Sequence, residues 1–154
     1  MKASSRTRHE GLCAAVAAGF ARERAVFLRA RGASMRPAIQ DGEEVRLRPL
    51  GAHALGVGDV VLAQTPGGAS LHRVIAADPS TGQVLLKGDG LRGPDAHLPF
   101  HAVLARADAV RRGGRWVRID TRWRKHLGLF LSLCLAPRAP LRALARRLVR
   151  AGSL

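Results

Sequence analysis

Between residues 44 and 119 short apolar segments alternate with turn signals, and this pattern restricts the fold more than any other feature of the sequence. Six segments have the length and residue types of strands: "EVRLRPL" (44–50), "DVVLAQT" (59–65), "LHRVIAAD" (71–78), "QVLLKGD" (83–89), "AVLARADAVRR" (102–112) and "RWVRID" (115–120). The last two flank Gly113-Gly114 as a hairpin. The stretches "PGGAS" (66–70) and "PSTG" (79–82) are typical of turns. Strands this close along a chain pair through hairpins. The sequence therefore predicts a mainly β fold, a small antiparallel β domain in which the continuous apolar strand 59–65 is central.

Helical arms are predicted at both ends of this domain. Residues 10–24 place Leu12, Val16, Gly19 and Phe20 near one helical face, whereas residues 1–9 read as a disordered basic start. The predicted organisation is an N-terminal arm (1–24), a β domain (25–119) and a basic helical tail (120–154). The first strand, "AVFLRARG" (25–32), leads into the turn at Ser34, and "GLRGPDAHLP" (90–99) reads as a loop.

Residues 111–154 carry most of the net charge of +15, because they hold twelve Lys or Arg and one acidic residue. The first part of the tail predicts a helix with one apolar face, made of Trp123, Leu127, Phe130, Leu131 and Cys134. After Pro137 and Pro140, a second part sets Leu141, Leu144, Ala145 and Leu148 against Arg142, Arg146, Arg147 and Arg150. A basic amphipathic helix of this kind is typical of membrane surfaces. Residues 123–134 are expected to pack partly on the β domain. For the rest of the tail two interpretations stay open, a solvated arginine-rich end and peripheral contact with an anionic membrane.

A transmembrane span is not predicted, because the apolar run 127–136 has about half the required length. The expected location is the cytoplasm or the periphery of the cytoplasmic membrane. Nucleic acid is not an expected partner, since the sequence contains neither a recognition-helix pattern nor an aromatic stacking platform. Cys13 and Cys134 form no metal or disulfide motif, and Pro99 separates His97 from His101. No cofactor or metal is predicted.

Three short motifs carry the chemistry. They are Gly-Ala-Ser-Met-Arg-Pro (32–37), His-Arg-Val (72–74) and Lys-Gly-Asp-Gly (87–90), the last followed by Asp95. A serine nucleophile needs an exposed turn, free backbone N–H groups for an oxyanion, a base within reach and a group that orients the base. Asp89 and Asp95 are both candidates for the group that orients His72. Each motif alone has an ordinary interpretation, as a helix cap, a packed histidine or a turn. Their order along one chain is much harder to obtain by chance.

The ordered motifs resemble the signal peptidase I superfamily of serine proteases. The matching residues are Ser34-Met35-x-Pro37, Gly58-Asp59-Val60-Val61, His72-Arg73-Val74, Lys87-Gly88-Asp89 and Asp95. The bacterial enzymes carry a lysine at the position of His72. A histidine there resembles the branch of the family found in archaea and the endoplasmic reticulum. The resemblance implies the family's mainly β fold and a Ser–His mechanism, with Ser34 as nucleophile, His72 as general base and Asp95 as orienting acid. It gives supporting roles to Asp89, Gly32 and Met35.

The chain departs from that family at several positions. Gly90 follows Gly-Asp where the family commonly has Asn, and Glu43 follows Gly42 where the family usually has Asp. Gly32 stands where some members place a hydroxyl that assists the oxyanion. The absence of a predicted anchor raises the expectation of a dedicated peptide or precursor substrate, met in the cytoplasm or at the inner membrane surface.

The expected function is a serine endopeptidase that processes a peptide or precursor protein through an acyl-enzyme. Lys87 is an alternative base, although a solvated or salt-bridged lysine is the expected state at that position. Two other classes stay open. One is a catalytically silent module that holds a peptide in the same groove. The other is a basic protein that binds membrane surfaces or nucleic acid.

Overall fold

A computed structural model describes residues 3–51, 55–94 and 96–134, with the backbone alone described for residues 3–10, 122, 123 and 131–133. The predicted mainly β fold is confirmed: within these residues eight antiparallel strands form one curled sheet, a half-barrel, accompanied by two helices. The elements in chain order are α1 (Ala3–Arg22), β1 (Val26–Arg29), β2 (Glu44–Arg48), β3 (Val60–Thr65), β4 (Gly68–Asp78), β5 (Gln83–Lys87), β6 (Ala96–Pro99), β7 (Val103–Arg112), β8 (Arg115–Arg118) and α2 (Arg122–Cys134).

The strand order places β3 inside the sheet, as its continuous apolar run predicts. The order is β1-β2-β7-β3-β4-β5-β6, and β8 pairs with β7. β3 therefore lies between β7 and β4, and its residues 60–63 are all buried. Alternate residues of β3 face two apolar clusters. Val60 and Leu62 join the cluster that α1 covers, whereas Val61 and Ala63 join the second cluster on the other face.

Helix α1 begins earlier than the sequence indicates. It starts at Ala3, so the prediction of a disordered start is wrong from that residue on. The segment 3–10 contains no glycine or proline, and alanine, arginine and glutamate favour a helix. The predicted apolar face is confirmed, because Val16 is buried and Leu12 packs against the same cluster. A β-carbon at Gly19 would lie 2.6 Å from Val26 Cγ2, so glycine allows the helix to approach β1 closely.

Two strand boundaries also differ from the predictions. β4 begins at Gly68, because Gly68 pairs with Thr65 and closes a two-residue hairpin where a five-residue turn was predicted. The Thr65 hydroxyl donates a hydrogen bond to the Gly68 carbonyl at 2.7 Å. The predicted loop 90–99 contains β6, which pairs with β5. This strand is too short for its alternation of buried and exposed residues to be recognised in sequence.

Helix α2 packs on the sheet through a different face from the predicted one. The Lys125 ammonium forms an ion pair with the buried Asp59 carboxylate, and Gly128 lies against the Arg73 guanidinium. Leu127 and Phe130, from the predicted apolar face, are 46% and 63% exposed. The predicted amphipathic segment 141–150 lies outside the described residues. No helix in the described part of the chain combines the length and the apolarity needed to cross a bilayer.

Candidate active site

Ser34 lies in the connection between β1 and β2, which backbone hydrogen bonds close at its base. The Ala30 N–H donates to the Glu43 carbonyl at 2.8 Å, and the Gly42 N–H donates to the Ala30 carbonyl at 2.9 Å. Within the loop, the Gly32 N–H donates to the Asp41 carboxylate at 2.7 Å. Gly32 has a φ of 89°, a conformation that favours glycine. The loop is therefore a fixed turn that presents Ser34.

Apolar anchors hold the Ser34 turn on the sheet. Met35 is 4% exposed and Ile39 is 1% exposed, and both join the cluster beneath α1. The Ile39 N–H donates to the Met35 carbonyl at 2.9 Å, which forms a single helical turn. Among the described residues, the backbone N–H groups of Ser34 and Met35 have no hydrogen-bond partner. Two donors of this kind beside a serine hydroxyl are suited to an oxyanion.

Glu43 ties the Ser34 loop to β7. Arg112 donates to both carboxylate oxygens of Glu43 at 2.6 and 3.0 Å and to the Ala38 carbonyl at 3.2 Å. Glu43 also accepts a hydrogen bond from the Gln40 N–H at 2.9 Å. The hydrogen bonds from Arg112 lower the pKa of Glu43 below its usual value, against the opposing effect of burial. Glutamate has the reach for these contacts, so the departure from the family pattern at Glu43 has a structural role in this chain.

His72 lies on β4, directly opposite Val61 of β3, and is buried. Its Nδ1 atom lies 3.4 Å from the Ser70 hydroxyl, two residues earlier on the same strand. Ser70 also lines the groove that contains Ser34. The sequence interpretation missed Ser70, because it placed this residue in a turn. The signal that could have found it is the spacing of two, which puts Ser70 and His72 on one face of a strand.

Asp89 is engaged in a buried ion pair with Arg73. The two carboxylate oxygens accept hydrogen bonds from Arg73 Nε and Nη2 at 2.7 and 2.6 Å, and both side chains are almost fully buried. A third Arg73 nitrogen donates to the Gly58 carbonyl at 2.8 Å. The pair fastens the turn after β5 to β4. The proposed orienting acid, Asp95, lies outside the described residues.

The turn after β5 contacts the Ser34 turn directly. The Gly90 N–H donates to the Ser34 carbonyl at 2.8 Å. A β-carbon at Gly88 would lie 2.6 Å from that carbonyl oxygen, and one at Gly90 would lie 2.9 Å from the Ala33 carbonyl oxygen. The Asn that the family commonly carries after Gly-Asp would therefore collide with the backbone here, which explains Gly90.

Replacing Gly88 with alanine should misplace the Ser34 backbone, because no carbonyl oxygen can stay 2.6 Å from a β-carbon. If Ser34 is catalytic, kcat/KM for a cleaved peptide should fall roughly 100-fold. Gly93→Ala is the matched control in the same loop, since a β-carbon there meets no atom within 4 Å. Equal activities of the two variants would contradict a role for this contact.

Lys87 is buried, which rules out the solvated lysine that was one of two expected states. Its ammonium donates a hydrogen bond to the Gly88 carbonyl at 3.2 Å. Lys87 pairs with Arg73 across the β4–β5 ladder. Directly opposite residues of an antiparallel pair project to the same face, so Lys87 lies on the face of Arg73.

An open groove of about 600 Å³ runs beside Ser34. Its walls come from α1, β1, the Ser34 turn, β3 and β4, and they are mostly apolar. The lining residues are Leu12, Leu28, Arg29, Ala30, Arg31, Gly32, Ser34, Met35, Ile39, Leu62, Ala69, Ser70 and Leu71. Two strand edges border the groove. Among the described residues β1 pairs only with β2, so its other edge has no partner strand. β5 pairs with β4 from Arg73 to Asp78, so residues 68–72 of β4 have no described partner strand on that side.

Compared with known proteins, the chain matches no protein-family model and no curated sequence. The interpretation of this site therefore depends on its geometry and on the motifs themselves.

Proposed function

We propose that the chain is a serine endopeptidase of the signal-peptidase type that cuts an extended peptide or precursor held in the groove. The observation that carries this proposal is the position of Ser34, on a fixed turn inside a groove bordered by two strand edges that pair with no other described strand. Such edges present backbone N–H and C=O groups that an added strand can pair with. Alternate side chains of the bound peptide would then enter the apolar lining.

The strand register supports His72 as the base for Ser34. The last pairs of the β4–β5 ladder are Val74 with Leu86 and Arg73 with Lys87. Continued by one residue, this register sets His72 opposite Gly88. The β-carbon of position 88 would point at the Ser34 carbonyl, and opposite residues project to the same face. The imidazole would then lie beside the Ser34 turn at this end of the sheet, although its partner Val61 on β3 belongs to the cluster on the face away from Met35 and Ile39.

The contacts of Lys87 weigh against it as the base. Its side chain lies on the face of Arg73, and its ammonium donates a hydrogen bond to the Gly88 carbonyl at 3.2 Å. The buried ammonium is thus better explained as a structural group.

The mechanism is an acyl transfer. The Ser34 hydroxyl attacks the scissile carbonyl while His72 takes the hydroxyl proton, and the N–H groups of Ser34 and Met35 hold the oxyanion. The proton then passes to the leaving amine as the C–N bond breaks. Water hydrolyses the ester with His72 as base, which restores the free hydroxyl. Asp95 is the proposed orienting acid, and Gly32 lets the substrate backbone approach.

Ser70 is the proposed positioning residue for the imidazole, because its hydroxyl lies 3.4 Å from His72 Nδ1. Ser70→Ala should lower kcat roughly tenfold, the value of one hydrogen bond, and shift the acid limb of the pH–rate profile. Ser70→Thr keeps a hydroxyl and should restore both properties. If Ser70→Ala changes KM alone, Ser70 lines the groove and does not position the imidazole.

The proposal is tested by mass spectrometry of peptides released when the purified protein is incubated with soluble and membrane-anchored precursors. New termini that depend on Ser34 support an endopeptidase, and the pair of precursors identifies the substrate class. Peptides that bind without being cut would instead support the silent peptide-binding module. The proposed location is the cytoplasm or the periphery of the cytoplasmic membrane. Processing of the soluble precursor would favour the first, and processing of the membrane-anchored precursor would favour the second.

A further inference from the structure

Helix α2 exposes an apolar stripe, which we define as Leu127, Phe130 and Cys134. These residues are three or four positions apart and share one face of the helix. Leu127 is 46% exposed, Phe130 is 63% exposed, and Cys134 is also exposed. Phe130 is the most exposed large apolar side chain of the described residues. Leaving this much apolar surface in water is unfavourable, so the stripe indicates a contact.

The stripe is held outward by the contacts on the other side of the helix. Gly128 is buried against Arg73, and the Lys125 ammonium is paired with Asp59. A β-carbon at Gly58 would lie 3.0 Å from Lys125 Cβ, so the helix backbone approaches this loop closely. The helix is therefore fixed to the sheet, and it cannot turn its apolar face inward without breaking these contacts.

The charge of the sequence from α2 onward selects the partner of the stripe. Residues 121–154 include eight Lys or Arg and no Asp or Glu. A second copy of the chain is disfavoured, because two segments of equal positive charge repel each other. Nucleic acid would satisfy the cations but would leave Leu127 and Cys134 without a partner. An anionic lipid surface satisfies both features, since headgroups attract cations and the acyl boundary accepts apolar side chains.

We propose that α2 docks the protein on anionic lipid membranes, with Leu127 and Phe130 entering the acyl boundary and the basic residues meeting the headgroups. This docking goes beyond the proposed cleavage activity and does not depend on it. It would hold the enzyme at a membrane surface without a spanning helix in the described part of the chain.

The test is sedimentation of the full chain with phosphatidylglycerol–phosphatidylcholine vesicles and with phosphatidylcholine vesicles. Wild type should bind the anionic vesicles at least about tenfold more tightly. The variant Leu127→Ser/Phe130→Ser should lose at least about tenfold of that affinity and keep its fold, because both side chains are exposed. Phe27→Ser is the matched control, since Phe27 is 48% exposed on β1, and it should bind as wild type does.

Several results would overturn the docking proposal. Equal binding by the double serine variant and wild type would mean that charge alone acts. Equal binding to both vesicle types would remove the role of the cations. Dimers that dissociate in the double serine variant would assign the stripe to a second copy. Tighter binding to single-stranded DNA than to the anionic vesicles, lost in the same variant, would assign it to nucleic acid.

Discussion

Replacing Ser34 with alanine should abolish peptide cleavage, with kcat/KM falling roughly 10⁴-fold or more. The loss follows from the proposed role, because without the hydroxyl no acyl-enzyme can form. The fold should persist, since no hydrogen bond of the Ser34 hydroxyl is present among the described residues. The free energy of unfolding should therefore change by less than about 0.5 kcal/mol. Peptide cleavage and urea denaturation of the same preparation measure both quantities.

Ser80→Ala is a control for this experiment, because Ser80 lies in the turn between β4 and β5 and its hydroxyl bonds to Asp78, far from the groove. It should keep full activity. Cleavage that survives Ser34→Ala but is lost in Ser70→Ala would transfer the nucleophile to Ser70. Cleavage that survives both would show that neither groove serine is the nucleophile.

The sheet could be predicted from the sequence because its signals are local. The apolar run 59–65 indicates a buried strand, and it is the strand that the structure places between β7 and β4. β6 carries no such signal, because a segment of four residues that ends in proline is typical of a loop. Its pairing with β5 makes it a strand. The packing of α2 also escapes prediction, since a lysine and a glycine contact the sheet while the apolar face remains exposed. An ion-pair partner on a distant loop decides that orientation.

The candidate site was predictable in its motifs and not in its supporting contacts. Ser34 and His72 stand out because each lies in a short, ordered motif. The hydrogen bonds that Arg112 makes with Glu43 join residues 69 positions apart, a distance at which a single sequence carries no pairing signal. Burial of Lys87 likewise depends on the neighbouring strand, because a lysine at a strand end is usually solvated.

Replacing Asp89 with asparagine should cost about 3–5 kcal/mol of the free energy of unfolding, the range for a broken buried ion pair. The substitution leaves the Arg73 guanidinium charged, 2% exposed and without its carboxylate. The effect should reach the site as well, because Asp89 fastens the turn whose Gly90 N–H holds the Ser34 carbonyl. Urea denaturation measures the stability, and kcat/KM for a cleaved peptide measures the displacement of the turn.

Two comparisons separate charge from packing in this result. Asp108→Asn also removes a carboxylate, the one that forms ion pairs with Arg46 and Arg48. The side chains of these two arginines are 23% and 39% exposed, so water can solvate them. That variant should lose about 1 kcal/mol or less. In the double variant Arg73→Met/Asp89→Leu both charges of this pair are removed, so stability should recover. Activity should stay low, because no ion pair connects the turn after β5 to β4. If this double variant is as unstable as Asp89→Asn, the unpaired guanidinium does not cause the loss of stability. The packing of the turn after β5 would then account for it.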